Sequence, residues 1–256
     1  MDTKPDLVIS IDLGTTFTGV AAKYLGDDMN IEGIHTVDDW PNQPGGDMTG
    51  KVPTRIAYPK QNRPLPAVRW GYGVEPGMVA CSWTKLYLAD GNQFEDEALE
   101  FATKMRILQI PRGKTHENVL EDFLVEVLQF AYSRLKIRFG ANLANMRKEI
   151  VYTFPATWPA KSISATESVA RAAGFGEEGF SKNAKISMLG FTEPEAAMAL
   201  VVGEPTAFSG SILEGGDCLM IVDCGGGTVD LTTYHVADAN PLLYDELTSS
   251  MGKKPL

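Results

Sequence analysis

The sequence predicts an α/β fold, because strand-like and helix-like apolar patterns alternate along the chain. Short apolar runs such as residues 7–11 and 150–154 have the length and composition of buried strands. Residues 94–108 and 120–135 instead repeat apolar side chains every three to four positions, as amphipathic helices do. With 256 residues, 44% of them apolar, the chain is long enough to bury a substantial core.

Composition excludes several classes of protein. The 33 acidic residues outnumber the 23 Lys and Arg, and the resulting net charge of −10 argues against nucleic acid or anionic lipid as a partner. The three cysteines form no CxxC pair, so neither a disulfide framework nor a zinc site is expected. The polar start and the lack of a ~20-residue apolar run predict a cytoplasmic or nuclear chain without signal peptide or membrane span.

The first elements are predicted to be a hairpin and a loop-rich insertion. Residues 7–11 and 17–22 are strand-like and flank a glycine turn at 12–16. Residues 38–76 are rich in proline and glycine, with short strand-like pieces such as 52–58, which predicts a β-rich segment. We assign it to an inserted subdomain over residues 38–114.

Two amphipathic helices are predicted next. The first ends before Pro111 and the second before Gly140. The side chains expected on the buried face of the first helix are Phe94, Ala98, Phe101, Ala102, Met105 and Leu108. Those expected on the buried face of the second are Leu120, Leu124, Val127, Leu128, Ala131 and Leu135.

A strand and two helices follow. The apolar run 150–154 predicts a buried strand, and residues 161–173 predict a helix that ends at Gly174. Thr192 and Glu195 have the spacing of a capping box, so another helix is expected to begin there.

The chain closes with a second β segment. Residues 219–222 predict a buried strand, and residues 229–236 continue the β pattern. Cys218 and Cys224 flank the predicted buried strand and are expected to be inert packing thiols. The three histidines lie far apart without a partner pattern, so they predict no ligand site.

An internal repeat relates the two predicted hairpins. Residues 11–16 and 222–227 align with a constant offset of 211 positions, and each block follows an apolar strand and precedes a β-branched one. Asp12 and Asp223 end the first strand of each hairpin. A single Asp-x-Gly turn is most often a plain hairpin, whereas two in matching register favour a shared function.

Turns of this composition are suited to phosphate binding. Glycines let the backbone approach an anion closely, and threonine hydroxyls add further hydrogen-bond donors. Two such turns facing each other would grip a polyphosphate from both sides, and Asp12 and Asp223 would hold the water shell of a bound Mg²⁺. No GxxxxGK[ST] occurs, so neither turn is a P-loop.

These motifs resemble the ATPase domain shared by the seventy-kilodalton heat-shock chaperones, actin and the sugar kinases. Residues 12–17 resemble the first phosphate loop of that domain, and residues 223–230 resemble the second. Three further segments resemble chaperone motifs in the same order, at residues 152–156, 165–175 and 192–197. The surroundings of Trp83 and Trp158 are more similar to divergent chaperone relatives than to the main chaperones.

The resemblance implies an actin-like, ribonuclease H-like fold that binds Mg-ATP between the two hairpins and hydrolyses ATP in the intact parent. It implies that Asp12 and Asp223 hold Mg²⁺ through water. It also implies three catalytic residues, namely Lys85 reaching the γ-phosphate, Glu193 sensing the nucleotide and Asp230 orienting water. The implied phosphate contacts are Gly14, Thr15, Thr16, Phe17, Gly225, Gly226, Gly227 and Thr228.

Each implied catalytic residue also has an ordinary structural interpretation. Lys85 fits a solvated surface lysine, Glu193 an acid favoured by a helix N-terminus, and Asp230 an exposed strand residue. Client or co-chaperone proteins are further implied partners. A non-catalytic interaction module and a small-molecule kinase of the same superfamily are the alternative functions.

The resemblance implies two lobes, residues 1–206 as a complete lobe I and residues 207–256 as the beginning of lobe II. Only 26 residues follow Asp230, so lobe II is expected to be a lone hairpin without sheet neighbours. A fragment, a truncated gene model and a short paralogue all fit this sequence. A chain of this length is expected to bind ATP weakly, in a Mg²⁺-dependent manner, and to hydrolyse little of it.

Overall fold

The chain divides into two compact units. The computed structural model describes residues 4–26, 33–46, 50–88, 100–102, 104–175, 184–187, 191–203, 213–226, 229–239, 242–247 and 251–253. Unit 1 comprises Met1–Tyr152 and Pro159–Met188, and unit 2 comprises Thr153–Trp158 and Leu189–Leu256. The predicted lobe boundary between residues 206 and 207 is a separate division and stays a prediction.

Unit 1 is built on a mixed sheet of six strands. The described strands of this unit include three that lie outside this sheet. In chain order the strands are β1 (Leu7–Leu13), β2 (Phe17–Tyr24), β3 (Ile34–Thr36), β4 (Lys51–Pro53), β5 (Arg55–Ala57), β6 (Arg69–Trp70), β7 (Cys81–Ser82), β8 (Lys148–Tyr152) and β9 (Ala184–Ser187). The large sheet has the order β3-β2-β1-β8-β9, and β4 also pairs with β2. β1 pairs antiparallel with β2 and parallel with β8, so the α/β class predicted from the sequence is confirmed.

Alternating side chains explain why β1 forms the middle of this sheet. Four of its apolar side chains are fully buried, namely Leu7, Ile9, Ile11 and Leu13. The residues between them are only partly buried, and they are Val8, Ser10 and Asp12. Because side chains alternate between the two faces of a strand, Asp12 lies on the partly exposed face of the sheet.

The proline- and glycine-rich segment contains the short strands expected of it, with one break that the pattern does not reveal. Residues 52–58 look like one strand-like piece, but Thr54 interrupts it. β4 joins the large sheet beside β2, whereas β5 lies between β6 and β7 in a separate three-stranded sheet. The break at Thr54 therefore passes the chain from one sheet to the other.

The predicted helices after residue 115 are confirmed. They are α1 (His116–Phe139), α2 (Ala160–Ala170) and α3 (Glu193–Gly203), with short 3-10 helices at Gly71–Gly73, Thr84–Tyr87 and Gly140–Ala144 and a π-helical turn at Arg171–Phe175. All six side chains predicted for the core face of α1 are buried. Thr115 and Asn118 form a capping box at its start. Gly174, with φ of 114°, supplies the left-handed residue expected after α2.

The helix predicted over residues 94–108 ends earlier than its apolar pattern. Within the described residues the helical stretch stops at Lys104. Arg106 then takes a left-handed φ of 56°, and Leu108 forms a β-bridge with Cys81. The apolar spacing thus continues beyond the point where the backbone leaves the helix.

This early end explains why part of the predicted core face is wrong. Met105 lies beyond the last helical residue and is 56% exposed, whereas Phe101 is 53% exposed although it lies within the helix. Ala102 and Leu108 are buried as predicted. Phe94 and Ala98 lie outside the described residues.

Unit 2 is an antiparallel sheet with one helix packed on it. Its strands are β10 (Cys218–Cys224), β11 (Val229–Ala239), β12 (Leu242–Glu246) and β13 (Met251–Lys253). The order is β10-β11-β12, with β13 also paired to β11, and α3 packs against β10 and β11. The expectation of a lone hairpin is therefore wrong, since β12 and β13 both pair with β11. Within the described residues β10 pairs with β11 alone, so the apolar strand lies at an open edge of the sheet as expected.

β10 is a strand as predicted, but the prediction that it is buried is wrong. Met220 and Val222 are 62% and 50% exposed, and Cys218 and Cys224 are exposed rather than packed thiols. The alternate positions of the strand are only partly buried. An apolar run does not distinguish a strand covered on both faces from one covered on a single face.

Among the described residues, no helix is long and apolar enough to cross a bilayer.

Candidate functional site

The first hairpin closes through a single backbone contact next to its tip. β1 and β2 pair up to Leu13 and Thr18, and the Gly14 N–H donates to the Phe17 carbonyl at 3.0 Å. Thr15 and Thr16 are therefore the two residues at the tip. Thr15 is buried, whereas Phe17 is 43% exposed.

Gly14 is required by the shape of this turn. A Cβ at this position would lie 2.2 Å from the Phe17 carbonyl oxygen, a distance that no side chain tolerates. The Gly14 N–H also donates to this oxygen, so the turn closes by direct contact between the backbones of Gly14 and Phe17, with no room for a side chain. Its predicted contact with phosphate stays a prediction.

Two buried threonines hold the hairpin from the side of β4. The Thr54 hydroxyl donates to the Gly14 carbonyl at 2.9 Å, so it must accept the hydrogen bond of 2.8 Å that joins it to the Thr18 hydroxyl. The Thr54 N–H also donates to the Thr16 carbonyl at 2.8 Å. Thr54 thus fixes the turn through three hydrogen bonds. Sequence reasoning missed it, because only the register of β4 reveals the contact.

Asp12 carries an ion pair that sequence reasoning also missed. The Lys51 Nζ donates to the Asp12 Oδ2 at 2.6 Å. Asp12 pairs with Gly19 across β1 and β2, and Gly19 pairs with Lys51 across β2 and β4. The three residues form one row across three adjacent strands, with the glycine in the middle.

The structure buries Lys85, the lysine predicted to be catalytic. Lys85 is 3% exposed in the 3-10 helix Thr84–Tyr87, which packs against α1. Trp83 precedes this helix with a left-handed φ of 60°. Burial argues against a solvated surface lysine, and the predicted role of Lys85 in hydrolysis stays a prediction.

The second hairpin places two carboxylates side by side. Asp223 of β10 is directly opposite Asp230 of β11, so both side chains lie on the same face of the sheet. Asp230 is 1% exposed, which excludes its interpretation as an exposed strand residue. The Thr157 hydroxyl, from the segment after the predicted strand stop, lies 3.5 Å from Asp230 Oδ1.

The turn of this hairpin is described only in part. Gly225 and Gly226 are exposed. Gly227 and Thr228 lie outside the described residues.

Glu193 is the first residue of α3 and is half-buried. Its N–H donates to the Phe154 carbonyl at 2.9 Å. The predicted capping box is confirmed, because the Thr192 N–H donates to Glu195 Oε2 at 2.8 Å and the Glu195 N–H donates to Thr192 Oγ1 at 3.3 Å. Glu195 is therefore the acid that caps the helix, and Glu193 is not needed for that purpose.

The donor atoms at both hairpins fit Mg²⁺ chemically. Two adjacent carboxylates at the second hairpin favour a bound cation, and Mg²⁺ prefers oxygen ligands. The Asp12 side chain is 41% exposed and already ion-paired. The described parts of the chain hold no group of three or more His, Cys, Asp and Glu suited to a metal. At either hairpin, Mg²⁺ would therefore take further ligands from water or phosphate.

Comparison with known proteins gives matches of structure but not of sequence. No family model matches the chain, and no curated protein matches it. Among solved structures, the chain is similar to MreB5 of Spiroplasma citri bound to ADP, with 18% identity over 97% of this chain and 52% of that one, at a TM-score of 0.47. It is also similar to MreB 5 of Spiroplasma citri bound to AMPPNP, with 17% identity over 98% and 53% of the two chains, at a TM-score of 0.43. The chain spans about half the length of these structures.

Proposed function

We propose that this chain binds a nucleotide by its phosphates, as part of an actin-like ATPase of the heat-shock-chaperone type. The observation that carries the proposal is that one arrangement occurs in both units. In each, a β-hairpin has an aspartate at the end of its first strand, two positions before a glycine of the turn. These are Asp12 and Gly14 in unit 1 and Asp223 and Gly225 in unit 2.

The first hairpin is held in a fixed shape, which favours anion binding. Its turn is fixed by the hydroxyl and the N–H of Thr54, so little ordering is required when a phosphate arrives. Thr15 and Thr16 would supply hydroxyl and N–H donors at the tip. Mg²⁺, when bound, would neutralise phosphate charge, with Asp12 and Asp223 holding its water shell.

Hydrolysis is proposed as the activity of the intact parent. Water would attack the γ-phosphorus and ADP would leave, with Asp230 orienting that water. The buried position of Asp230 and its proximity to the Thr157 hydroxyl support this role, because a buried carboxylate has fewer accessible positions than an exposed one. Lys85 would approach the γ-phosphate, and Glu193 would respond to the nucleotide. Client or co-chaperone proteins in the cytoplasm are the proposed partners.

Calorimetric titration of the purified chain with ATP and with ADP in Mg²⁺ tests the proposal. Asp223→Asn and Gly226→Val should each weaken binding by roughly ten- to a hundredfold, which is the effect of losing one charge-assisted contact. The matched control is Asp245→Asn, an exposed aspartate of β12 in the same sheet, which should leave affinity unchanged.

The alternative functions predict different results for the same purified chain. A folded chain that binds neither nucleotide would contradict the proposal and favour a non-catalytic interaction module. Transfer of the γ-phosphate to a sugar would favour a small-molecule kinase. Equal affinities in the wild type, Asp223→Asn and Gly226→Val would exclude the second hairpin from the site.

A further inference from the structure

Lys51 reaches Asp12 by lying across a glycine. Its side chain starts on β4, crosses β2 at Gly19 and ends 2.6 Å from the Asp12 carboxylate on β1. A Cβ on Gly19 would lie 3.3 Å from Lys51 Cγ, 3.6 Å from Cε and 3.8 Å from Cδ. A methyl group at Gly19 would therefore touch the Lys51 side chain, and a larger side chain would occupy the space that the lysine crosses.

This arrangement places a resident positive charge next to the first hairpin. Asp12 is two positions before Gly14, and its carboxylate would repel a polyphosphate bound at the turn unless a cation neutralised it. A metal ion is one such cation, and the Lys51 ammonium is another. Both compete for the same oxygen atoms of Asp12.

We propose that Lys51 is an internal counter-ion of Asp12 that allows the first hairpin to bind a nucleoside polyphosphate without a divalent metal. This inference rests on the proposed function. A metal-bound nucleotide brings its own positive charge to Asp12, so the contribution of Lys51 is largest when metal is removed. Metal-free binding is therefore the property to measure.

The exposure of the pair sets the size of the effect. The Lys51 and Asp12 side chains are 45% and 41% exposed, so solvent screens their attraction. We therefore expect removal of the lysine charge to weaken metal-free binding by about tenfold, the low end for a charge-assisted contact.

The test measures calorimetric binding of ATP and of inorganic tripolyphosphate, each in EDTA and in excess Mg²⁺. Lys51→Met should weaken binding of both ligands in EDTA by about tenfold and change it much less in Mg²⁺. Gly19→Val keeps every charge but fills the space that Lys51 crosses, so it should have the same selective effect. The matched control is Lys23→Met, which removes an exposed lysine from β2, on the face of the sheet that carries Gly19, and should change the affinity in neither condition.

A double variant distinguishes counter-ion action from direct contact with phosphate. In Asp12→Asn with Lys51→Met, no carboxylate remains to be neutralised, so metal-free affinity should return close to the wild-type value. A double variant as weak as Lys51→Met alone would overturn the proposal, because the lysine would then act on the phosphate directly.

Failure of this inference is distinguishable from failure of the proposed function. If the wild type binds ATP and tripolyphosphate only in Mg²⁺, or if Lys51→Met weakens both conditions equally, the counter-ion proposal is wrong and phosphate binding stands. If the folded wild type binds neither ligand in either condition, both proposals are wrong.

Discussion

Replacing Gly14 by alanine should destabilise the first hairpin by a steric clash within its turn. The new Cβ would lie 2.2 Å from the Phe17 carbonyl oxygen, whereas real Cβ contacts are essentially never shorter than 3.0 Å. The two atoms must separate by about 0.8 Å, and the neighbour that must move belongs to the backbone, which cannot rotate away as a side chain can.

The expected loss of stability follows from two contributions. Moving the Phe17 carbonyl breaks the 3.0 Å hydrogen bond that it accepts from Gly14 N–H, which costs about 0.5–1.5 kcal/mol. Strain from the added methyl group costs about 1–3 kcal/mol. The Gly14→Ala variant should therefore lose about 1.5–4.5 kcal/mol of unfolding free energy.

Urea unfolding followed by tryptophan fluorescence measures this loss, since three of the four tryptophans, Trp40, Trp70 and Trp83, belong to unit 1. The expected decrease in midpoint is about 1 M urea or more. Gly45→Ala is the matched control, because nothing lies within 4 Å of its Cβ position and its φ is not left-handed. It should be neutral or stabilising by up to about 1 kcal/mol. Equal midpoints for the two variants would refute the steric argument.

Two further predictions concern side chains away from the hairpins. Burial raises the pKa of the Cys81 thiol to about 12, and its Sγ donates to the Gln109 carbonyl. Ellman's reagent at pH 8 should therefore react with the exposed Cys218 and Cys224 in the native chain and with Cys81 only after unfolding. Rapid reaction of all three thiols in the native chain would contradict this prediction. Hydrogen bonds from the Arg147 side chain and backbone lower the pKa of Asp6 below its ordinary 3.8. The contribution of this pair to the free energy of unfolding is therefore complete above that pH and is lost as the pH falls through the folded-state pKa. Asp6→Asn should therefore flatten the loss of stability below about pH 4 in acid-unfolding curves, and unchanged curves would exclude the contribution.

Local patterns predicted the parts of the fold that depend on neighbours in sequence. The apolar strand at residues 7–11, the apolar stripe of α1 and the capping box of Thr192 and Glu195 are each recognised from residues no more than about four positions apart. The hairpin at Gly14 belongs to the same class, because its closing bond joins residues three positions apart. Such features require no knowledge of the distant chain.

Features that depend on distant residues could not be predicted in this way. The contacts of Thr54 with Gly14 and of Lys51 with Asp12 span about 40 positions and exist only because β4 pairs with β2 in one register. The exposure of Met220 is also a tertiary property, since its sequence neighbourhood is as apolar as that of a buried strand. Pairing and coverage, rather than composition, decide these outcomes.

The repeat itself shows how one register position changes the charge of a turn. Gly19 and Asp230 are separated by the same 211 positions that relate Asp12 to Asp223, so they are equivalent residues, each directly opposite the aspartate of its hairpin. In the first hairpin the equivalent residue is a glycine, which admits the Lys51 side chain and leaves a neutral pair. In the second it is Asp230, which adds a second carboxylate on the same face. Two turns with the same Asp-x-Gly core therefore differ in the residue opposite the aspartate, which is a neutral glycine in the first and a second carboxylate in the second.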